Sequence, residues 1–497
     1  MNQLITSLLL AVLFLTAQPA ACQRPVQSAP TLPPAGSLVI TNVNVVDVVS
    51  ERVLPNQTVV ILDGCIVSVG HRAPAGRAVQ RVDGRGKYLI PGLWDGHTHA
   101  LASAAEEQVA LPRCVAAGIT SIRVLNTGRT RADLQATVQA VETGQRVGPR
   151  IELAGASFDA PLGEEAGAFP TTYAQGEEWA TARLQQGWRA LQSSPQLSRD
   201  AYMGIADAAQ TWHVPLVGPI PESVTALQAV AAGHQIIEPA DKLLLGCSGR
   251  EEELVAAQIH YLAKAQSGAT LAELARLRQA ALATTFSTSR AAHLAQALVQ
   301  EKAFVVPLLQ ATASALPAAA ANAARLRYLP AGVRRHREQA RPDRRTARGP
   351  EQEAQLRTLD SLQNHLIATL QRQGVPLLAG SDAGGAHPFQ GYGSGLLNEL
   401  EHLVAAGLTP AQALRAATVV PAAATGHRYE QGQIDVDFHG DLVLLDDNPL
   451  DDIRNLRQVR AVVLRGRLYD RAALAALAAD AERAAQQSPA VSTAATR

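Results

Sequence analysis

Apolar positions near the two ends of this chain fall in short runs broken by turn residues. Ser37 to Asp47, Gln57 to Leu62 and Cys65 to Val69 read as strands, the last two joined by a hairpin turn at Asp63-Gly64. Near the other end, Asp441 to Leu445 and Val459 to Leu464 have the same character, with a turn at Asp446-Asp-Asn-Pro449 between them. Between these ends the pattern changes to apolar strands alternating with Ala-rich stretches of helical spacing, such as Ser198 to Gln210 and Glu351 to Gln373. Eight strand candidates end near His99, Val124, Gly155, Gln192, Pro219, Pro239, Leu308 and Asp382. Eight strands alternating with helices predict a closed (β/α)8 TIM-type barrel, with its functional face at the C-terminal strand ends. A doubly wound open sheet is the alternative, because periodicity alone does not close a barrel.

The expected organisation is a composite β-sandwich domain from residues 37–90 and 427–474 and a barrel over 91–426. Two long connections, 240–301 and 310–374, read as helical insertions above the barrel mouth. The second carries an Arg-rich stretch, Arg325 to Arg348, readable as a solvated helix and loop or as a lid that attracts carboxylates. Residues 475–497 read as a helical and then disordered tail.

Composition narrows the function classes. Hydrophobic residues make up 47% of the 497, enough for a large core. Lys+Arg and Asp+Glu number 44 each, and aromatic residues are 4%, so neither a basic field nor stacking platforms point to nucleic acid. Leu4 to Ala17 is an apolar run too short to span a bilayer and suited to a signal peptide over residues 1–22. The small residues before Cys22 resemble a lipoprotein processing site, although Pro19 stands where Leu is usual. The expected location is therefore the bacterial cell envelope or outside the cell, lipid-anchored through Cys22 or simply secreted. Cys65, Cys114 and Cys247 are an odd, scattered trio and read as buried thiols.

The strongest chemical signal closes the first barrel strand, Leu89-Ile-Pro-Gly-Leu-Trp-Asp-Gly-His97-Thr-His99. Residues two apart on a strand point to the same side, so His97 and His99 present two imidazoles to one ion. Neither a nucleophile elbow nor a phosphate-binding or dinucleotide loop is present.

With Gly118-Ile-Thr-Ser-Ile-Arg123, Gly148-Pro-Arg150, Gly380-Ser-Asp382-Ala-Gly384, Asn398 to Leu403 and Gly440 to Leu445, this segment resembles the amidohydrolase superfamily, in particular its imidazolonepropionase- and prolidase-like members. The resemblance runs from Ser37 to Asp470 and implies a (β/α)8 barrel with a small β-sandwich made from both ends. It implies a hydrolase acting on the C–N bond of a small amide, cyclic amide or dipeptide-like substrate. Such members hold two divalent ions, usually zinc. The first strand supplies His-x-His, the fourth a carboxylated Lys, the fifth and sixth one His each, and the eighth an Asp that also moves the proton.

His97, His99 and Asp382 match those positions, with Asp382 as ligand or general base. Gln192 stands in place of the bridging Lys, and Pro219 and Pro239 in place of the two histidines. Glutamine forms no carbamate and proline offers no donor atom. One ion at most is therefore expected. His213 and His234 lie at the starts of their strands, which at about 3.3 Å per residue puts them more than ~15 Å away. His387, on the loop after Asp382, is a candidate extra ligand. Three protein ligands and water suffice for one catalytic zinc. The competing reading is a catalytically inactive barrel retained as an envelope binding or structural module.

Overall fold

The computed structural model describes residues 37–72, 80–125, 129–158, 170–264, 278–310, 327–329, 350–385 and 391–487. The N-terminal side contributes β1 (Leu38–Asp47), β2 (Arg52–Leu62), β3 (Cys65–Gly70), β4 (Gln80–Asp83) and β5 (Tyr88–Pro91). There follow β6 (Leu93–His99), β7 (Ile119–Val124), β8 (Arg150–Leu153), β9 (Leu191–Gln192), β10 (Leu216–Gly218), β11 (His234–Ile237), β12 (Phe304–Val305) and β13 (Ala383–Gly384). The C-terminal side adds β14 (Leu442–Leu445), β15 (Val459–Leu464) and β16 (Arg467–Asp470).

The two ends build one sheet in the order β16-β15-β14-β5-β1-β2-β3, with β4 beside β1. Its inward residues, among them Ile40, Val59, Ile66, Leu89, Leu442 and Val463, enclose a core of their own. The sheet curls over that core: Gly64, in the β2–β3 turn, lies against Arg465 and Gly466 in the β15–β16 turn, and Ile66 donates its N–H to Phe438 O at 2.8 Å. Cys114 and Cys247 are buried free thiols as expected. Cys65 is disulfide-bonded, which corrects its reading as a thiol. It starts β3 only half-buried at the domain surface, where a second sulfur has access, while the other two are packed among helices.

The middle of the chain forms two parallel four-stranded sheets, β13-β6-β7-β8 and β12-β11-β10-β9. Parallel bridges join them at both seams, Ala156 to Leu191 and Val305 to Leu377. The first strand, β6, is thus flanked by β7 and by the last strand, β13, and the eight strands close into a ring with no free edge. That arrangement is the (β/α)8 barrel, and the open-sheet alternative is gone. Both faces of such strands are covered, so β7 is buried along its whole length despite Thr120, Ser121 and Arg123.

Helices between the strands start where the sequence supplies caps. Ser198 caps Arg199–Thr211, and Thr172 with Gln175 forms a capping box for Tyr173–Gln185. Those two helices touch through glycine: a Cβ on Gly204 would lie 2.1 Å from Tyr173 O, and one on Gly176 2.1 Å from Ala201 O. The first long connection carries the helices Asp241–Gly246, Glu251–Lys264 and Thr288–Gln300, and the second ends in Pro350–Gln373. Apart from 327–329, the Arg-rich stretch lies outside the described residues, as do Leu4 to Cys22, His387 and the end of the tail.

Candidate metal and active site

β6 carries His97 and His99 to the barrel mouth, and close backbone contact brings Asp382 to them. Gly96 donates its N–H to Ala379 O at 2.8 Å, and a Cβ on Gly96 would meet that oxygen at the same 2.8 Å. A Cβ on Gly380 would stand 2.6 Å from His97 Cβ. Only glycine at these positions lets the first and last strands approach so closely. Ser381 and Asp382 then both donate their N–H groups to His97 O, at 3.1 and 2.9 Å. Asp382 adopts the left-handed region at φ 52°, tolerated by Asp better than by most side chains. Below them Asp95 Oδ1 accepts the N–H of Ser381 at 2.8 Å, and burial pushes the Asp95 carboxyl up to about 6.

The three side chains meet. Asp382 Oδ1 lies 3.2 Å from His99 Nε2 and 3.5 Å from His97 Nε2. One donor atom from each lies within 4.8 Å of the others, and this is the one such cluster among the described residues. Each imidazole is held from behind by its other nitrogen. His99 Nδ1 bonds Leu125 O at 3.0 Å, and His97 Nδ1 bonds Glu238 Oε2 at 2.7 Å.

Glu238 is fully buried and is gripped by Arg123, whose Nη1 donates to Oε1 and Oε2 at 2.9 and 2.8 Å and whose Nη2 donates to Oε1 at 2.9 Å. Burial raises the Glu238 carboxyl, but Arg123 and then His97 outweigh it and hold it at about 2. Burial likewise lowers the His97 imidazole, yet Glu238 and Asp382 prevail and raise it to about 9. With Glu238 paired to Arg123, the described side chains that converge here are one carboxylate and two imidazoles, an environment that favours positive charge between the ring nitrogens. Two imidazole nitrogens and a carboxylate oxygen form a donor set that fits one divalent ion, with room for water in the fourth place.

Among the described residues there is no second comparable set. Gln192 ends β9 as expected, but its Nε2 donates to Gly155 O at 2.8 Å, so the amide is engaged with the neighbouring strand. Pro219 and Pro239 directly follow the ends of β10 and β11 by one and two residues. His213 is exposed in the turn before β10. His234 reaches further along the barrel than a per-residue count suggests, since its Nε2 is 3.0 Å from Gly218 O. It is still no ligand, because Tyr202 Oη occupies Nδ1 at 3.0 Å. Burial drops this imidazole to about 4.

Two residues of the site escaped the sequence reading, Glu238 and Arg123. Their available signal was a charge at the end of an otherwise apolar buried strand. Glu399 is a further buried acid nearby. It accepts the N–H groups of Leu309 and Gln310 at 2.9 and 2.7 Å and fixes the segment that follows β12.

A sequence model of the amidohydrolase family matches residues 88–469. The chain belongs to the amidohydrolase family. Over 158 residues it is 30% identical to adenine deaminase 3 of Rhizobium meliloti (strain 1021). That match covers 28% of this chain and only 26% of the deaminase, so the chain spans about a quarter of that relative's length. Bottromycin amidohydrolase superposes with a TM-score of 0.67 at 19% identity, over 94% of this chain and 92% of its own. A prolidase complexed with N-methylphosphonate-L-proline gives 0.60 at 22% identity, over 88% and 100%. At such identities the likeness establishes the amidohydrolase fold. Activity has to be argued from the site.

Proposed function

We propose that this amidohydrolase-family protein hydrolyses a C–N bond in a small amide, cyclic amide or dipeptide-like substrate, using a single divalent ion held by His97, His99 and Asp382. The convergence of those three side chains at the C-terminal mouth of a closed barrel carries the reading. Zinc suits the donors, and when bound it supplies a Lewis acid that brings the pKa of a coordinated water to about 7.

The residues do the rest. His97 and His99 enter with their rings already oriented by Glu238 and Leu125, so little rotamer freedom is lost on binding an ion. Asp382 stands where a water proton can be taken and returned to the leaving nitrogen. It is also the third donor, and the two roles compete for one carboxylate. Prolidase and Xaa-Pro dipeptidase among the structural neighbours support a dipeptide-like substrate.

Gln192, Pro219 and Pro239, standing where the family resemblance implies a Lys and two His, support a second reading, a barrel retained for binding without catalysis. A panel of Xaa-Pro dipeptides, N-acyl amino acids and cyclic amides, run with wild type and His97→Ala, separates the two. Turnover lost in the variant supports the enzyme. No turnover with any substrate, and no change in metal content on His97→Ala, leaves the binding module.

An extracytoplasmic location belongs to the same proposal. The apolar run before Cys22 and the disulfide at Cys65 support it, since structural disulfides persist in oxidising compartments. Recovery of the native protein with Met1 from the cytosol would refute export.

A further inference from the structure

We propose that Glu238, clamped by Arg123, is a positioning residue that fixes the His97 ring with Nδ1–H turned into the barrel and Nε2 presented at the mouth as a metal donor. The inference rests on the mononuclear reading above and deepens it.

The three residues come from three strands and meet across the barrel interior. Arg123 lies on β7, one residue before its end, Glu238 one residue past β11, and His97 on β6. Arg123 is 2% exposed and Glu238 0%. Arg123 brings only donors. It binds both Glu238 oxygens and also donates to Gly96 O at 3.2 Å, beside His97 in the chain. A carboxylate only accepts, so the 2.7 Å contact with His97 Nδ1 requires the proton to sit on Nδ1. The proton that an incoming metal ion displaces is then the one on Nε2, which faces Asp382 Oδ1 at 3.5 Å.

Stability alone does not account for this arrangement. A buried ion pair gains little over well-packed apolar side chains of the same volume, because both charges must be stripped of water. Here the pair is spent on one nitrogen of one imidazole. His99 obtains the same tautomer from an ordinary backbone carbonyl, Leu125 O. Glu238 stands immediately before Pro239, where the ligand histidine of this strand is absent, so the strand end still serves the site through His97.

Two double variants isolate the acceptor from the charge. Arg123→Met with Glu238→Gln removes both charges and leaves an amide oxygen free to accept from His97 Nδ1–H. Arg123→Met with Glu238→Leu removes the charges and the acceptor together. Zinc chloride is titrated into each folded full-length protein by calorimetry, with circular dichroism and melting as controls. The Gln pair should bind zinc close to wild type, and the Leu pair about 10–100-fold more weakly. Equal affinities in the two pairs overturn the proposal.

If wild type itself takes up no zinc, the mononuclear reading is what fails. The role of Glu238 is then decided by ring 15N spectra of His97 in zinc-free protein. A Nδ1 proton that is slow to exchange in wild type and the Gln pair but fast in the Leu pair supports it. The same Nδ1 signal in all three proteins overturns it.

Discussion

The side-chain amide of Gln192 donates to the carbonyl of Gly155, 2.8 Å away on the neighbouring strand segment. The position where the family resemblance implies a bridging lysine thus has its side chain engaged with the neighbouring strand segment. Together with Pro219 and Pro239 it leaves no lysine or histidine at these three positions, while among the described residues β6 and Asp382 bring their donors together. Wild-type protein dialysed against trace zinc should hold at most one ion per chain by elemental analysis. The combined change Gln192→Lys, Pro219→His and Pro239→His should move that count toward two, with a carbamate carbon visible by 13C spectroscopy in bicarbonate. Two ions in wild type would overturn the mononuclear assignment.

Removing a donor should separate metal loss from unfolding. His97→Ala deletes one ligand and one hydrogen bond to Glu238, but Arg123 keeps Glu238 paired. The cost should be roughly 1.5–3 kcal/mol, that of a hydrogen bond to a charged group. That is small against a total stability of about 5–15 kcal/mol. The variant should stay folded by circular dichroism, lose its zinc on dialysis and lose any amide hydrolysis. Asp382→Asn should also weaken zinc binding, since a neutral amide replaces the one carboxylate among the three donors.

Local periodicity carried the reading of this fold as far as neighbours in sequence allow. His97 and His99 were legible because alternation along a strand puts residues two apart on one side. Asp382 and the substitutions at Gln192, Pro219 and Pro239 were legible only through the resemblance to the amidohydrolase family, which implies ligands at those strand ends. Contacts across the barrel were not. Glu238 is 115 residues from Arg123 and 141 from His97, so no spacing rule connects them. Ring closure depends in the same way on two long-range bridges, Ala156 to Leu191 and Val305 to Leu377. His234 was placed by counting residues, whereas the reach of its side chain and its pairing with Tyr202 decide what it does.

The glycine contact between Tyr173–Gln185 and Arg199–Thr211 offers a test of packing away from the site. A Cβ on Gly204 would meet Tyr173 O at 2.1 Å, and that oxygen is backbone within a helix. No side-chain rotation can relieve such a clash, so the helices must part. Gly204→Ala should cost about 3 kcal/mol, the upper part of the usual overpacking range. The gain in helix propensity from Gly to Ala, about 1 kcal/mol, offsets only part of it. A melting temperature equal to or above wild type would show that the two helices do not approach as described. Zinc content should be unchanged.

Asp441 ties the β domain to the barrel, and its ionisation should be visible in the pH dependence of stability. It precedes β14, accepts Arg150 Nε from β8 on one oxygen and the N–H of Arg465 at 2.7 Å on the other. Burial raises its carboxyl, but Arg150 and these hydrogen bonds prevail and hold it below the usual aspartate value. A depressed folded pKa means that the folded state binds the proton less readily than the unfolded chain, whose aspartate titrates near 3.9. The stabilisation is therefore complete above about pH 5 and is lost as the pH falls through the unfolded and then the folded value. Asp441→Asn should lower stability at pH 7 by roughly 1.5–3 kcal/mol, the range for a hydrogen bond to a charged group. Arg150 keeps 26% of its side chain exposed, so its own charge can be rehydrated and the loss should not approach that of a fully buried broken pair. Denaturant midpoints of wild type and variant should converge as the pH is lowered from 7 toward 3. A gap that is constant across that range would mean that Asp441 acts through its shape and hydrogen bonds and not through its charge.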